Sequence, residues 1–384
     1  MSKILELLQR IEAPTRNIFD MPKPSVVETP AVAMEADAEV EEELDESLPF
    51  DTHLIPIASG KGGVGKTNVS VNLSIALADR LVARDPSAKV ILVDCDFGLP
   101  NADILLGARI TRNIDDFVTK RVTTLGDALS PTAYPGLSFL SGAATPSMTL
   151  SNLQYQQRQK FLRHLKTLKA KYLVLDLGAS VHFEVIDFFS MVNSGVVVTN
   201  PEPTAMRDSY LFIRATLYRK IRQEAREMPL VIDLMDRLES GQLDIPSVPG
   251  VLSQVQKTGS LVDYKSLKSI LDEFRPKLIV NRSETFDEGL EVARKMRDEA
   301  RRELGVDISF LGPVIHDPCV VRAVKESAPF LRRYPECDAS HWIRNIAERI
   351  ESNNDFQIEK NYFSFGAYFK RLFGGTARMA MGEA

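Results

Sequence analysis

The stretch GKGGVGKT, residues 60–67, decides the fold of this chain. It matches the pattern G-x-x-x-x-G-K-[ST], follows the apolar run 54–59 and precedes a helical pattern over 69–81. Glycines let the backbone turn tightly around phosphate oxygens, and the N–H groups that begin the next helix present partial positive charge to an anion. The order of strand, glycine-rich loop and helix therefore predicts a phosphate-binding loop.

The same motif predicts the ligands of a nucleoside triphosphate and of Mg²⁺. Lys66 is expected to reach the β- and γ-phosphates, and Thr67 to bind Mg²⁺ through its hydroxyl. Asp94 and Asp176 each end an apolar strand and offer the hard oxygen ligands that Mg²⁺ prefers, although a lone carboxylate there can simply cap the next helix. The loop residues expected to contact the nucleotide are Gly60, Gly62, Gly63, Val64, Gly65, Lys66, Thr67 and Asn68.

Apolar runs that alternate with helical patterns predict the fold class. Runs that are apolar on both faces are typical of a parallel sheet covered by helices on both sides. We therefore expect an α/β fold with a doubly wound, mostly parallel sheet, and chemistry at the carboxyl ends of its strands. The predicted strands are 54–59, 89–96, 137–142, 172–178, 195–200, 277–283 and 307–314.

The chain divides into three parts by composition. Residues 1–51 hold a short amphipathic helical pattern at 3–12 and then an acidic, proline-containing linker with too little apolar surface to order itself. Residues 52–354 are predicted to form the nucleotide-binding domain, with a helical insertion at about 219–275. Residues 355–384 form a distinct tail.

The tail places aromatic residues on one face of a predicted helix, with basic residues beside them. This combination is typical of a helix that lies in the interface of an anionic membrane. Alternatively, the aromatic residues pack on the protein's own body. The residues expected to contact the membrane are Phe365, Phe369, Lys370, Arg371, Leu372 and Phe373.

Composition limits the classes of partner and compartment. The formal net charge of −5 provides no global basic field for nucleic acid. Cys95, Cys319 and Cys337 form no C-x-x-C pair, so we expect small apolar fillers rather than disulfides or metal ligands. The N-terminus lacks a signal-peptide pattern, and no apolar run approaches the roughly 18 residues of a membrane span. We expect a protein of the cytoplasm or of the inner face of the cell membrane.

A second lysine, Lys61, follows the first glycine of the motif. With this lysine the loop resembles the deviant Walker A motif of the MinD/ParA ATPases. Further segments are similar to the MinD/FlhG branch of that family, and the resemblance covers roughly residues 52–345 apart from the insertion. These segments are VDCDFGLPNADILLG (93–107), YLVLDLGAS (172–180, similar to switch II), VVVTNPEPTAMRDSYLFI (196–213) and LIVNRS (278–283).

The resemblance implies catalytic roles for Lys61, Lys66 and Asp96. Lys61 would reach across a dimer interface to the partner's phosphates, as an arginine finger does, and Asp96 would position the attacking water. Asp94 and Asp176 would hold Mg²⁺. Two ATP molecules would then lie face to face in an ATP-dependent homodimer.

The resemblance also implies roles outside the loop. Asn281 would hydrogen-bond the adenine edge and select ATP, with Arg282 beside it in the nucleotide-binding set. Asp208 would couple the nucleotide state to the surface where an activating protein partner binds. Switch II lacks the usual glycine pattern beyond LGAS, so hydrolysis is expected to be slow or to need that partner.

The function implied is that of a MinD/FlhG-like spatial regulator, which binds ATP and Mg²⁺, attaches reversibly to the membrane and positions flagella, the division site or a pole. An adaptor that binds ATP without hydrolysis is disfavoured by the intact catalytic residues, and an iron–sulfur carrier of the same superfamily would need paired cysteines at the dimer interface. A ParA-like DNA-segregation ATPase would need a basic surface. The candidates for that surface, which acidic residues follow at once, are Arg214, Arg219, Lys220 and Arg222.

Overall fold

The computed structural model describes residues 52–96, 100–142, 161, 163–165, 167–179, 182–243 and 247–356. The predicted helix at 3–12, the acidic linker and the predicted membrane residues of the tail lie outside the described residues. The fold described below is therefore that of the central part of the chain.

The core is one sheet of eight strands in the order β3-β4-β2-β5-β1-β6-β7-β8. Neighbouring strands are parallel except for the short edge strand β3, which runs antiparallel to β4. This confirms the predicted doubly wound α/β class. The strands are β1 (His53–Ala58), β2 (Val90–Cys95), β3 (Ser130–Pro131), β4 (Leu137–Leu140), β5 (Tyr172–Leu177), β6 (Val196–Thr199), β7 (Lys277–Ser283) and β8 (Ser309–Ile315).

Helices cover both faces of this sheet. Alternate residues of a strand point to opposite faces, and in β5 Leu173 and Leu175 join one hydrophobic core while Tyr172 and Val174 join the other. Burial on both faces explains why the strands read as uninterrupted apolar runs. The helices are α1 (Lys66–Val82), α2 (Ala102–Leu106), α3 (Ile114–Val118), α4 (Phe183–Phe189), α5 (Pro203–Glu224), α6 (Pro229–Glu239), α7 (Val248–Thr258), α8 (Leu261–Glu273), α9 (Phe286–Glu303), α10 (Pro318–Lys325), α11 (Phe330–Arg333) and α12 (Asp338–Ser352), with a 3₁₀ turn at Leu125–Ala128.

The helix that follows the phosphate loop, α1, is buried along most of its length. It packs against α12, and the Asn72 side chain accepts a buried hydrogen bond of 2.9 Å from the backbone N–H of Leu331 in α11. An interior helix with fixed neighbours holds its N-terminus in one place. The phosphate loop therefore rests on a rigid support.

The stretch 219–275 contains the last turn of α5 together with α6, α7 and α8. Serine caps begin α7 and α8, since the Ser247 hydroxyl accepts the Gly250 N–H and the Ser260 hydroxyl accepts the Asp263 N–H. Apolar residues of these helices belong to the same core that covers one face of β5. This helical stretch is therefore built into the domain rather than appended to it.

The chain turns back on the body after α12. The Phe356 N–H donates to the Phe310 carbonyl at 2.8 Å, and the Phe356 ring lies against Trp342 and Phe286. The Arg349 guanidinium sits 3.3 Å from the centre of that ring. Phe356, which the sequence assigns to the start of the tail, is thus part of the domain. In the part of the chain that the structure describes, no helix is both long enough and apolar enough to cross a membrane.

Candidate nucleotide-binding site

Three of the four glycines of the loop 59–65, Gly60, Gly63 and Gly65, have structural reasons to be glycine. The φ angle is +81° at Gly63 and +89° at Gly65, in the left-handed region that other residues rarely adopt. At Gly60, a Cβ atom would lie 2.0 Å from the carbonyl oxygen of Asp208 and 2.5 Å from the amide nitrogen of Ser209. The loop therefore packs directly on the backbone of α5.

The start of α1 is open to an anion. Gly65 is the N-cap residue and has no side chain to accept a hydrogen bond, and the first turn from Lys66 contains no acidic residue. The first N–H groups of a helix lack partners within the helix, and the helix dipole adds positive charge there. A phosphate group would satisfy both. Thr67 lies half-buried in the same turn.

Lys66 and Asp176 form a buried ion pair at the centre of the site. The Lys66 Nζ lies 2.6 Å from Oδ1 of Asp176, and the two side chains are 6% and 1% exposed. The Ser70 hydroxyl, one helical turn after Lys66, donates to the same oxygen at 2.8 Å. Burying an unpaired charge is costly, so each of these charges depends on the other.

Asp94 lies beside Asp176 because β2 and β5 are neighbours and these residues are partners in the parallel register. Its carboxylate accepts the backbone N–H groups of Asp96, Asn101 and Ala102 at 3.0, 3.1 and 3.2 Å. Burial, followed by the negative charge of Asp176, raises the pKa of Asp94 to about 7, although its hydrogen bonds act in the opposite direction. A cation between the two carboxylates would relieve their repulsion.

Oxygens at the site are poised for a Mg²⁺ nucleotide. Two buried oxygens, Oδ2 of Asp176 and Oδ1 of Asn68, accept no hydrogen bond from any described residue. Buried polar atoms are normally satisfied, so two orphaned acceptors beside the phosphate loop fit a group bound there. Mg²⁺ takes oxygen ligands and keeps several of its waters. The carboxylates of Asp94 and Asp176 and the hydroxyl of Thr67 could supply these oxygens, directly or through the waters. The residues therefore fit this ion and its nucleotide.

Asp96 follows β2 and borders the same edge of the sheet. It is half-buried, and a Cβ atom added at Gly178, just past β5, would lie 4.0 Å from its Oδ1. The next residues, 97–99, lie outside the described residues. The carboxylates of Asp94, Asp96 and Asp176 thus meet at the carboxyl ends of β2 and β5, as the parallel sheet requires.

Lys61 points away from this buried cluster. Its Nζ donates to Oε2 of Glu202 at 3.0 Å and to the Thr204 hydroxyl at 2.9 Å, both at the start of α5. The hydrogen bond from Lys61 holds the pKa of Glu202 below its usual range. The two lysines of one loop therefore lie in different environments, because Lys66 is buried and Lys61 is partly exposed at the surface.

Asn281 supports the loop from β7. Its Nδ2 donates to the Val64 carbonyl at 2.7 Å, and both residues are buried. A Cβ atom at Gly65 would lie only 2.4 Å from this Nδ2. Arg282 is exposed, with a φ angle of +58°. Its left-handed backbone marks a bend in β7 beside the loop.

Asp208 contacts the site through its backbone. Its carbonyl lies against Gly60, while its side chain faces the guanidinium of Arg207, with Nη2 of Arg207 3.4 Å from its Oδ1. A displacement of the phosphate loop would therefore displace this turn of α5.

Three residues of the site were not predicted from the sequence: Ser70, Glu202 and Thr204. Ser70 could have been found, because it lies four residues after Lys66 and so on the same helix face. Glu202 and Thr204 meet Lys61 across more than 140 residues of chain, and only the fold brings them together.

The cysteines lie in two separate places. Cys95 is buried in β2, and burial raises the pKa of its thiol well above the usual value. Cys319 and Cys337, 18 residues apart in sequence, come together with Asp317 at the starts of α10 and α12. The sequence gives no sign of this approach.

A glycine-rich loop between a parallel strand and a helix, a lysine paired with a strand-end aspartate and a second carboxylate beside it define a P-loop nucleoside triphosphate-binding protein. Residues 55–330 match the family described as the CobQ/CobB/MinD/ParA nucleotide binding domain. The chain belongs to this family, which confirms the resemblance seen in the sequence, and it is accordingly an ATP-binding member of the MinD/ParA ATPases.

Individual relatives agree with this placement. The antiactivator FleN of Pseudomonas aeruginosa is 26% identical over 301 residues, which are 78% of this chain and 86% of FleN. The septum site-determining protein MinD of Bacillus subtilis is 33% identical over 324 residues, 83% of this chain and 97% of that protein. A chain of the MinC:MinD cell division protein complex of Aquifex aeolicus, at 22% identity, shares the fold with a TM-score of 0.51 over 80% of this chain and 99% of its own.

Proposed function

We propose that this protein is a switch that binds Mg²⁺ and ATP, dimerises through its nucleotide, hydrolyses it slowly and thereby determines the site of a cellular structure. One observation carries the proposal: the phosphate loop holds Lys66 inside on Asp176 and Lys61 outside on Glu202 and Thr204. One lysine thus serves the chain's own site, and the other is available to a second chain.

The inner lysine supports binding of the triphosphate. An ammonium group has three N–H donors. The Lys66 ammonium donates one hydrogen bond to Asp176, which leaves the others for phosphate oxygens. The open N-terminus of α1 adds backbone donors beside it. Asp94 and Asp176 would hold Mg²⁺, with Thr67 as a further ligand. Asp96 would orient the attacking water.

The outer lysine supports dimerisation. Its two present partners are exposed side chains of α5 and its N-cap, so releasing it costs little. A cation delivered by a second subunit stabilises the charge that develops on the transferred phosphoryl group. Because each subunit would complete the other's site, hydrolysis should occur only in the dimer.

Two contacts of the loop support communication with the rest of the molecule. Gly60 touches the Asp208 backbone, and Val64 is bonded to Asn281. A shift of the loop when phosphate binds would move α5, where we place the surface for an activating protein, and the Asn281 amide, which we place at the adenine edge. Phosphate binding would then shift the loop, the surface for the activating protein and the contact to the adenine base together.

Reversible membrane attachment is the last part of the proposal, and it rests on the sequence 357–384. Each chain leaves the domain at Phe356, beside the edge strand β8. A single short amphipathic helix binds a membrane weakly, whereas a dimer presents two, which raises the apparent affinity strongly. ATP would thus control attachment by controlling dimerisation, from the cytoplasmic side.

The DNA-binding alternative is disfavoured at three of the four basic residues of α5 considered for it, whereas the guanidinium of the fourth, Arg214, lies over the Tyr218 ring. Arg219 pairs with Asp187, Lys220 with Glu224, and Arg222 with Asp236 and Glu239. Charges already neutralised by carboxylates offer little to a phosphate backbone. The iron–sulfur alternative is not favoured by Cys95 either, because its thiol is buried with a raised pKa.

The first test is dimerisation measured by light scattering on a sizing column. With ATP and Mg²⁺, the variant Asp96→Ala should accumulate as a dimer because it cannot turn over, and with ADP it should be monomeric. Adding Lys61→Ala to it should abolish the dimer, whereas adding Lys89→Ala, an exposed lysine before β2, should not. A dimer that forms equally with ADP, or without Lys61, would refute the nucleotide-sandwich proposal.

Membrane attachment needs its own test. The full chain should pellet with anionic liposomes in ATP but not in ADP, and a chain that ends at residue 356 should stay in the supernatant in both. Pelleting of the shortened chain would exclude the tail as the anchor, while pelleting that ignores the nucleotide would exclude the switch.

A further inference from the structure

A second cluster of metal-ligating side chains lies outside the nucleotide site. The carboxylate of Asp317 and the thiols of Cys319 and Cys337 lie within 4.8 Å of one another. Cys319 is half-buried and open to an ion from solution, and Cys337 lies deeper beside it. Nothing in the proposed nucleotide chemistry uses these three side chains.

One carboxylate builds the cluster by joining two helices. Oδ1 of Asp317, the N-cap of α10, accepts the Cys319 N–H at 2.7 Å, and its Oδ2 accepts the Asp338 N–H at 3.1 Å. Asp338 is the first residue of α12, and Cys337 is its N-cap. Asp317 therefore fixes the starts of both helices and, with them, the two cysteine side chains.

The surrounding charges fit a divalent cation. The Arg322 guanidinium donates to Sγ of Cys319 at 3.0 Å and stacks on the Tyr334 ring, and the Ser340 hydroxyl lies 3.3 Å from Sγ of Cys337. Hydrogen bonds of this kind commonly support metal-bound thiolates. Two thiolates and one carboxylate, offset by one guanidinium, leave two negative charges, which one divalent ion neutralises.

We propose that Asp317, Cys319 and Cys337 form a binding site for a thiophilic divalent cation, with Zn²⁺ as the best match. Zn²⁺ is bound by cysteine sulfur at about 2.3 Å and carboxylate oxygen at about 2.0–2.2 Å in tetrahedral geometry, which places ligand atoms about 3.5–3.8 Å apart. The ligand atoms here lie within 4.8 Å of one another, so binding would draw them together by side-chain rotation. Three protein ligands leave the fourth position to water or another small ligand. Mg²⁺ and Ca²⁺ do not suit a site with two sulfurs.

The bound ion would tie this region to the nucleotide-binding core. The segment between the two cysteines includes α11, whose Leu331 N–H is bonded to Asn72 of α1 and whose Arg332 pairs with Asp79 of the same helix. A cation that joins α10 to α12 would therefore close a loop that is packed on the P-loop helix.

Cobalt spectroscopy of the full chain tests the site. The protein is reduced, stripped with a chelator and titrated with Co²⁺ without oxygen and without nucleotide. A thiolate-to-cobalt charge-transfer band should rise to one equivalent and disappear when Zn²⁺ is added. Co²⁺ bound among the carboxylates of the nucleotide site cannot produce this band, so the signal reports the thiols alone.

Conservative variants define the ligands. Cys319→Ser and Cys337→Ser should each weaken or lose the band. Asp317→Asn should weaken Co²⁺ binding by about tenfold or more; its single amide oxygen can keep the cap of α10 but gives up the Asp338 N–H. Cys95→Ala should bind Co²⁺ as the natural chain does, and far-UV circular dichroism checks that every variant is folded.

The assignment is overturned if the reduced chain shows no band, if the band survives without both cysteines, or if Asp317→Asn binds Co²⁺ as tightly as the natural chain. It is likewise overturned if mild oxidation joins Cys319 to Cys337 in a chain that binds no cobalt, which would make the pair a redox couple.

Discussion

The Nζ atom of Lys66 lies 2.6 Å from Oδ1 of Asp176, and both side chains are buried. This contact joins the phosphate loop on β1 to the end of the neighbouring strand β5, so the loop lysine and the candidate Mg²⁺ ligand are placed by each other. Stability and nucleotide binding should therefore depend on the same pair in different ways.

Replacing Lys66 with Ala should destabilise the protein and abolish ATP binding. The buried carboxylate of Asp176 would lose its cation, which costs about 3–5 kcal/mol when one partner of a buried pair is removed. The double variant Lys66→Met, Asp176→Asn should recover much of that stability, because no buried charge is left, yet it should still not bind ATP. Urea unfolding of this double variant and of the single variants Lys66→Met and Asp176→Asn measures stability, and a fluorescent ATP analogue measures binding. A stability loss in the double variant equal to the sum of the two single losses would contradict this account.

Gly60 and Gly62 offer a matched pair of substitutions. A Cβ atom at Gly60 would meet the Asp208 backbone at 2.0 Å, whereas a Cβ atom at Gly62 would meet nothing within 4 Å. Gly60→Ala must displace α5 or the loop, and overpacking of this kind costs about 1–3 kcal/mol. We expect Gly60→Ala to lower the urea midpoint and Gly62→Ala to leave it close to that of the natural chain. Equal midpoints for the two variants would show that the contact between loop and α5 is not tight.

Much of this fold could be predicted because each buried strand has a local hydrophobic pattern of its own. Buried strands such as β2 and β5 have apolar neighbours on both faces, so they appear as continuous apolar runs whose ends are correct within two residues. The strand β3 was not predicted, since it has only two residues, Ser130 and Pro131, and exists through its pairing with β4. The composition of β3 therefore does not predict a strand, because β3 forms only by pairing with β4.

The nucleotide site likewise has a part that local sequence predicts and a part that only the fold brings together. The loop and its lysines follow from a motif, because the need to surround a phosphate fixes residue types at fixed spacing. The partners of those lysines depend on the order of strands and on the approach of α5, so Glu202 carries no local sign of its contact with Lys61. Cys319 and Cys337 were likewise interpreted as fillers, because only the hydrogen bonds of Asp317 to two helix starts bring them together.

The contact of Lys61 with Glu202 should influence dimerisation. Glu202 holds this lysine on its own subunit, and the exposed pair must separate before Lys61 can reach a second subunit. Glu202→Gln should therefore tighten ATP-dependent dimerisation by up to about fivefold, since exposed ion pairs are weak. Sedimentation velocity on the Asp96→Ala background measures the dissociation constant, with Glu284→Gln, an exposed carboxylate after β7, as control. Weaker dimerisation in Glu202→Gln would instead place Glu202 in the interface.

The last prediction concerns Asp94 in the protein without nucleotide or Mg²⁺. Its pKa of about 7 lies above the ordinary value of 3.8, because burial and the charge of Asp176 favour the protonated form. The folded state therefore binds more protons at Asp94 than the unfolded state does between those values. The contribution of Asp94 to stability is thus fully present below about pH 4 and is lost as the pH rises through about 7. Asp94→Asn cannot ionise and should flatten this part of the profile. Its amide has one acceptor oxygen in place of two, so it should also lower stability by the same amount at every pH. Urea unfolding at about pH 5 and about pH 8 measures the difference, with Asp85→Asn as control, because Asp85 is exposed and its pKa is lowered. A profile that is equally steep in Asp94→Asn would show that Asp94 is not the group that causes it.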